Sequence, residues 1–118
     1  METLGIEIRQ LAQQVEGIDA IVGGDSHTFL PLPVLVKNPA GVDVPITQAG
    51  ELGVVLGRLD LTFEYGNGWR LKAAEGHLLP LTGALPEDPE VKRLLQSYLD
   101  GPAVSAVPRL APGWAFGG

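Results

Sequence analysis

Cysteine is absent from this sequence of 118 residues. Disulfide bonds and thiolate metal sites are therefore excluded, and any metal ion must be held by nitrogen and oxygen ligands. Basic residues are also scarce, because 8 Lys and Arg oppose 14 Asp and Glu and give a net charge of -6. Such a chain repels phosphate polyanions on average, so we expect no nucleic acid among its partners.

Long hydrophobic runs are missing as well. Apolar stretches such as residues 29–36 are far too short to span a bilayer, and this one contains two prolines. Residues 1–10 lack the basic start and apolar run of a signal peptide. We therefore expect no membrane partner and, for the chain as written, a cytoplasmic location.

Glycine and proline are abundant instead, with 16 and 10 residues, while hydrophobic residues make up 45% of the chain. The apolar content is sufficient for a packed core and argues against a disordered chain. The share of glycine and proline favours short strands and many turns over a helical bundle. The length allows one domain and excludes a two-domain enzyme.

The first of two predicted amphipathic helices covers roughly residues 3–16. Leu4, Ile8, Leu11 and Val15 recur there at helical spacing, with glutamate and glutamine on the opposite side. A glycine at position 17 is placed to end this helix.

The second predicted helix begins at Asp88, an N-cap residue followed by Pro89 at the first helical position and Glu90 near the positive helix end. It ends at Gly101. Residues 102–118 are rich in proline and glycine and show no periodicity, so they are predicted to form a loose tail after a domain of residues 1–101.

Short strands are predicted between the two helices. Residues 18–22 form an almost continuous apolar run, typical of a strand covered on both faces. Residues 33–37 and 44–48 flank a turn, and residues 54–65 alternate cleanly before a tight turn at 66–68 and a second strand. The predicted fold class is therefore α+β (mixed α/β), with a β-rich layer of short strands and hairpins and two amphipathic helices.

The last of these hairpins carries charges of both signs on its polar face. Asp60 and Glu64 lie on its first strand, and Arg70 and Lys72 lie on its second strand. We predict that these opposite charges pair across the two strands.

One loop carries the residues best suited to chemistry. Residues 23–28, Gly-Gly-Asp-Ser-His-Thr, follow the predicted strand 18–22, and the two glycines let the backbone turn sharply and approach a ligand. Asp25 and His27 can point into one cavity and hold a divalent cation. Two ligands do not make a tight site, so this interpretation requires further ligands from elsewhere. A capping aspartate or Asx-turn, with His27 hydrogen-bonded nearby, remains the alternative.

Other titratable residues are weaker candidates. His77 lies among leucines near a strand end, where a hydrogen-bonded structural histidine is the preferred interpretation. Ser26 beside His27 suggests a nucleophile and a base, but adjacent residues seldom face each other and the Gly-x-Ser-x-Gly elbow is absent. The aromatic residues of the hairpin are interpreted as packing residues.

The run of residues 11–28 resembles the part of the 5'-nucleotidase branch of calcineurin-like metallophosphoesterases where the family carries Gly-Gly-His-Ser-His-Thr. Residues 45–50 and 56–63 are similar to the strands that close that catalytic domain. The three blocks follow the family's order, and the resemblance extends from about residue 4 to residue 99. It implies a partial metallophosphoesterase sandwich.

The resemblance also implies a metal centre. In the family, each histidine of the motif binds one ion of a two-metal centre that activates water for attack on a phosphate ester. His27 matches the second histidine, and Asp25 stands in place of the first, where its oxygen can still ligate a hard cation. Asp25 and His27 are thus the expected catalytic and metal-binding residues for Mn²⁺, Zn²⁺ or Mg²⁺, and Gly24, Ser26 and Thr28 the expected substrate-binding residues.

Other family motifs are not found in this sequence, namely the earlier blocks Asp-x-His, Gly-Asp and Gly-Asn-His-Glu. A strand built for cover on both faces then lacks neighbours, and we expect a homodimer that hides it and brings Asp25 and His27 of two chains together.

The expected function is metal-dependent hydrolysis of small phosphate mono- or diesters. The alternative is a noncatalytic folded fragment or dimerisation module that has lost its metal centre. The resemblance further implies a secreted or periplasmic parent family, in contrast to the cytoplasmic location expected from the chain as written.

Overall fold

The computed structural model describes residues 6–101 of the chain. In chain order, the elements of this part are α1 Ile6–Gln14, β1 Ile21–Val22, β2 Val34–Lys37, β3 Asp43–Thr47, β4 Val55–Gly66, β5 Gly68–Pro80 and α2 Pro89–Leu99. The predicted α+β class, with two helices and a β-rich layer, is confirmed. The predicted tail of residues 102–118 lies outside the described residues.

The chain divides into two compact units, of which the first ends at Pro80 and the second begins at Leu81. The first unit contains α1 and the five strands given above, and the second contains α2. The predicted domain boundary after residue 101 coincides with the end of the described residues and stays a prediction.

A three-stranded sheet in the order β1-β3-β2 forms the centre of the first unit. β1 runs parallel to β3, with Ile21 opposite Ile46. β2 runs antiparallel to β3, with Val34 opposite Ile46. The predicted pairing of the second and third strands is therefore confirmed, and β3 lies at the centre of the sheet.

The turn between β2 and β3 is held by the side chain of Asn38. Its carboxamide oxygen accepts hydrogen bonds from the backbone N–H groups of Ala40 at 2.9 Å and Val42 at 3.0 Å. An Asx-turn of this kind closes the chain on itself and sets the register of the hairpin. The structure thus contains a turn where the sequence predicts one between these two strands.

β1 is shorter than the strand predicted over residues 18–22. Only Ile21 and Val22 pair with β3, and among the described strands β1 has no neighbour on its other edge. The side of Val22 that the sequence predicts to be covered is open, since this residue is 77% exposed. The predicted length is wrong because β1 has one neighbouring strand, β3, and only two residues of β1 pair with it.

The core of the first unit lies between α1 and the sheet. Its five buried hydrophobic side chains are Ala12, Leu30, Val36, Val44 and Ile46. Ile8 of α1 packs against them in a half-buried position. Burying an aliphatic side chain of this size stabilises a fold by about 1.5–3 kcal/mol.

The helix predicted over residues 3–16 is confirmed within the described residues. It ends at Gln14, before Gly17, which has a φ of 91°.

β4 and β5 form a long antiparallel hairpin of 12 and 13 residues. β5 continues to Pro80 and includes the segment around His77 that follows the predicted strand. A β-bulge opposite the step from Thr62 to Phe63 leaves Lys72 without a residue opposite it in the backbone register. The register of the two strands shifts there by one residue.

The bulge corrects part of the predicted charge pairing. Glu64 pairs with Arg70 and, at 3.9 Å, with Lys72, as expected. Asp60 does not, because the shifted register places it opposite Glu75. Its carboxylate binds Arg58 on the same strand at 3.0 Å.

α2 follows the predicted capping pattern. The side chain of Asp88 accepts hydrogen bonds from the N–H groups of Glu90 at 2.8 Å and Val91 at 3.1 Å. No side chain of this helix is buried in the structure described. Its exposed apolar residues are Val91, Leu94, Leu95, Tyr98 and Leu99. Within residues 6–101, neither helix is long and apolar enough to cross a membrane.

The contact between Gly76 and Pro33 gives a test of the fold. A Cβ atom at Gly76 would lie 2.7 Å from the ring carbons of Pro33, whereas one at Gly66 would meet nothing within 4 Å. We expect Gly76→Ala to lower the free energy of unfolding by about 1–3 kcal/mol, because a rigid ring cannot yield to the added methyl group. Gly66→Ala is the matched control, with an expected change within about 1 kcal/mol. Urea unfolding followed by circular dichroism measures both, and equal effects would contradict the contact.

Candidate functional site

The loop of residues 23–28, which we call the motif loop, begins where β1 ends. The N–H of Gly23 donates to the carbonyl of Thr47 at 2.8 Å and so continues the parallel pairing of β1 with β3. The two predicted ligands then adopt left-handed backbone conformations, with φ 68° at Asp25 and φ 58° at His27. Such conformations cost about 1–3 kcal/mol each for residues with side chains and cluster at functional sites.

Gln48 holds the motif loop from the end of β3. Its side chain is only 1% exposed. The hydrogen-bond network assigns its amide oxygen to accept from the backbone N–H of Thr28 at 2.7 Å and of His27 at 3.2 Å, and from the hydroxyl of Ser26 at 2.9 Å. A single buried amide therefore satisfies two backbone donors of the strained segment and fixes its shape.

The two hydroxyl groups of the motif loop contact each other, and that of Ser26 also contacts the Gln48 amide. Ser26 Oγ and Thr28 Oγ1 lie 2.8 Å apart, and both residues border Gln48. Ser26 is half-buried and Thr28 is buried, whereas Gly24, Asp25 and His27 are exposed. The structure thus separates an inward side of the loop, which positions it, from an outward side with the two candidate ligands. The substrate-binding role expected for Gly24, Ser26 and Thr28 stays a prediction.

A short antiparallel contact joins the motif loop to the residues that follow β3. Phe29 and Ala49 form a β-bridge, and the N–H of Gly50 donates to the carbonyl of Thr28 at 2.8 Å. The ring of Phe29 fills the space that a Cβ atom at Gly50 would need, so glycine is required there. This contact brings a carboxylate that the sequence analysis does not single out, that of Glu51, next to the motif loop.

Glu51 binds His27 directly. The carboxylate oxygen Oε2 lies 2.7 Å from Nδ1 of the imidazole, with the two side chains 41% and 65% exposed. The other ring nitrogen, Nε2, is not part of this pair. Nothing in the sequence spacing of 24 residues points to the contact, which follows from the three-dimensional pairing around Phe29 and Ala49.

The donor set of the motif loop suits a divalent cation without completing its coordination. Asp25 offers carboxylate oxygen, which suits Mn²⁺ and Mg²⁺ and also binds Zn²⁺, and His27 offers imidazole nitrogen, which suits Zn²⁺. Within residues 6–101, one group of three acidic or imidazole side chains has ligand atoms within 4.8 Å of one another, and it includes neither Asp25 nor His27. Within the described residues, the structure therefore assembles no group of three ligands at the motif loop, and the metal-binding role of Asp25 and His27 stays a prediction.

That separate group lies on the polar face of the β4–β5 hairpin. It consists of Asp60, Glu75 and His77. His77 is exposed there, and the guanidinium of Arg58 already binds both carboxylate oxygens of Asp60, at 3.1 and 3.0 Å. The hydrogen bond to Asp60 raises the pKa of Arg58 above its ordinary value. The guanidinium of Arg58 thus already pairs with the carboxylate that a metal ion would need.

Comparison with known proteins gives consistent matches. The 5'-nucleotidases of Bos taurus and Homo sapiens are each 36% identical to this chain over 103 residues, covering 75% of the chain and 17% of each relative. A trifunctional nucleotide phosphoesterase of Bacillus subtilis is 34% identical over 89 residues, covering 75% of the chain and 6% of that protein. The chain therefore spans a small part of the length of these relatives.

A solved structure matches as well. The 5'-nucleotidase precursor of Thermus thermophilus superposes with a TM-score of 0.70 and 38% sequence identity, covering 84% of this chain and 22% of that one. No protein-family profile matches the chain. The fold and the sequence thus point to the same group of proteins.

The role of Gln48 can be tested on the free protein. We expect Gln48→Ala to lower the free energy of unfolding by about 1–3 kcal/mol, because it removes the acceptor of the His27 and Thr28 N–H groups, and Thr28 is buried. Amide hydrogen exchange at His27 and Thr28 should accelerate with it. Gln13→Ala on the exposed side of α1 is the matched control, expected to change stability by about 0.5 kcal/mol or less. Unchanged exchange at both amides would contradict the role given to Gln48.

Proposed function

We propose a function on the premise that this chain belongs to the 5'-nucleotidase-type metallophosphoesterases. The proposed function is metal-dependent hydrolysis of small phosphate esters, with Asp25 and His27 as metal ligands. The relatives that it resembles are named 5'-nucleotidase and nucleotide phosphoesterase. The observation that carries the proposal is the shape of the motif loop, in which both candidate ligands adopt costly left-handed conformations held by the buried Gln48.

Each residue of the motif loop has a distinct part in this proposal. Asp25 supplies an anionic oxygen and His27 supplies the Nε2 lone pair, since its Nδ1 faces Glu51. When bound there, a divalent ion supplies Lewis-acid activation of the ester and of a water nucleophile. Gly24 leaves room for a phosphate group to approach the backbone. Ser26 and Thr28 are proposed to act on substrate binding indirectly, by stabilising the loop that approaches the substrate.

The remaining ligands are proposed to come from a second copy of this chain. Support comes from β1, which has one paired edge among the described strands and a residue, Val22, that is exposed on an apolar face. Two-fold association that covers this region would bring two motif loops together and supply four ligands. The homodimer, the identity of the metal and a cytoplasmic location all stay predictions of this proposal.

A noncatalytic module is the second candidate. The observation that favours it is the absence of a third ligand beside Asp25 and His27 within residues 6–101. In that case the chain folds and associates through its exposed apolar residues, and the strained motif loop is a remnant of the family's site. Metal binding separates the two candidates, because an ion bound by the folded state must stabilise it.

The hydrolase proposal predicts metal-dependent stability and turnover. Mn²⁺, Zn²⁺ or Mg²⁺ at about a hundredfold excess over its dissociation constant should raise the free energy of unfolding by about 2.7 kcal/mol. The same ion should support hydrolysis of a small phosphate ester such as p-nitrophenyl phosphate. Asp25→Ala and His27→Ala should each abolish both effects, and His77→Ala is the control that retains them. Turnover that survives both substitutions and a chelator would contradict the assignment.

A shared site predicts a defined stoichiometry. Size-exclusion chromatography with light scattering and elemental analysis should give a dimer that carries about one half or one ion per chain. Protein purified without chelator is the sample. A monomer at micromolar concentration would contradict the second copy as the source of ligands, and a metal-free protein of any size would favour the noncatalytic module.

A further inference from the structure

The residues that follow β3 form a second strained turn beside the motif loop. Gly50, Leu52 and Gly53 have φ values of 70°, 61° and 65°. Leu52, like Asp25 and His27, adopts a conformation that residues with side chains rarely take. Glu51 lies within this turn, between two residues in left-handed conformations, Gly50 and Leu52.

The backbone pairing determines what Glu51 faces. Phe29 lies opposite Ala49, and the bond from Gly50 N–H to Thr28 carbonyl continues this antiparallel contact by one residue. His27 and Glu51 come next on the two joined segments, and their side chains meet, with 2.7 Å between Nδ1 and Oε2. The backbone contact thus brings the two segments together, and the side-chain contact pairs Glu51 with His27.

A carboxylate on one ring nitrogen of a histidine has a chemical consequence. Neutral imidazole carries its proton on either nitrogen, and a carboxylate beside Nδ1 accepts a hydrogen bond from an Nδ1–H group. The lone pair then resides on Nε2, the nitrogen that faces away from Glu51. Carboxylates in this position orient metal-binding histidines, and their removal weakens metal binding about tenfold to a hundredfold.

We propose that Glu51 is the positioning residue of His27, fixing the imidazole as the Nδ1–H tautomer so that Nε2 is free to bind a divalent cation. The last step rests on the function proposed above, whereas the tautomer is a property of the protein alone. Glu51 acts through His27 and is not itself a third ligand, because Asp25, His27 and Glu51 do not form a group with ligand atoms within 4.8 Å of one another.

The tautomer can be read in the metal-free protein by two-bond ¹H–¹⁵N correlation spectra of the imidazole. The chain contains two histidines, so a His77→Gln background leaves the signals of His27 alone. At about pH 9, where imidazole is neutral, this protein should show the Nδ1–H pattern. Glu51→Ala should convert most of it to the Nε2–H pattern. Glu51→Gln should retain Nδ1–H, because its amide oxygen still accepts the hydrogen bond.

Metal affinity provides the second readout. Titration of Mn²⁺ or Zn²⁺ should give a dissociation constant about tenfold to a hundredfold higher for Glu51→Ala than for the unaltered chain. Glu51→Gln should recover part of that loss, and Glu16→Gln, a substitution of an exposed glutamate on another part of the unit, should change nothing. A parallel titration of His27→Ala tests the metal site itself.

The outcomes separate the two proposals. If His27→Ala loses metal binding while Glu51→Ala changes neither the tautomer nor the affinity, the role of Glu51 is overturned and the metal site stands. If His27→Ala binds metal unchanged, the proposed function is overturned, and the tautomer spectra alone decide whether Glu51 orients His27. A predominant Nε2–H pattern in the unaltered chain overturns the role of Glu51 in either case.

Discussion

The buried amide of Gln48 is the interaction on which the candidate site depends. The motif loop follows a strand of two residues, so strand pairing alone cannot give it a fixed shape. The left-handed conformations at Asp25 and His27 cost free energy. Gln48 offsets this cost. A buried N–H group without an acceptor lowers the stability of a fold, and the amide oxygen of Gln48 accepts hydrogen bonds from two N–H groups of the loop. The outward direction of Asp25 and His27 is thus set from inside the core.

The sequence predicts the strands and helices correctly where local chemistry determines them. Asp88, Pro89 and Glu90 specify the start of α2 through capping, and Asn38 specifies the turn between β2 and β3. Residues 18–22 were overestimated as a strand because an apolar run records burial on both faces, while the length of pairing depends on neighbouring strands. The length of pairing cannot be predicted from the apolar run alone.

The candidate site was predictable only in part, for a related reason. The motif loop is continuous in sequence, so Asp25 and His27 could be identified from the residues themselves. Glu51 could not, because its contact with His27 depends on the pairing of Phe29 with Ala49 across a separate strand. The group of Asp60, Glu75 and His77 was hidden by the β-bulge, which moves Lys72 out of register and brings Glu75 opposite Asp60.

The bridge between Phe29 and Ala49 also determines how the chain tolerates changes in length. Side chains on paired strands alternate between two faces, so one residue inserted after Ala49 would turn the following carboxylate away from the imidazole. The ring of Phe29 over Gly50 leaves no room for the added residue to bulge inward. The segment from Gln48 to Gly53 is therefore expected to keep its length.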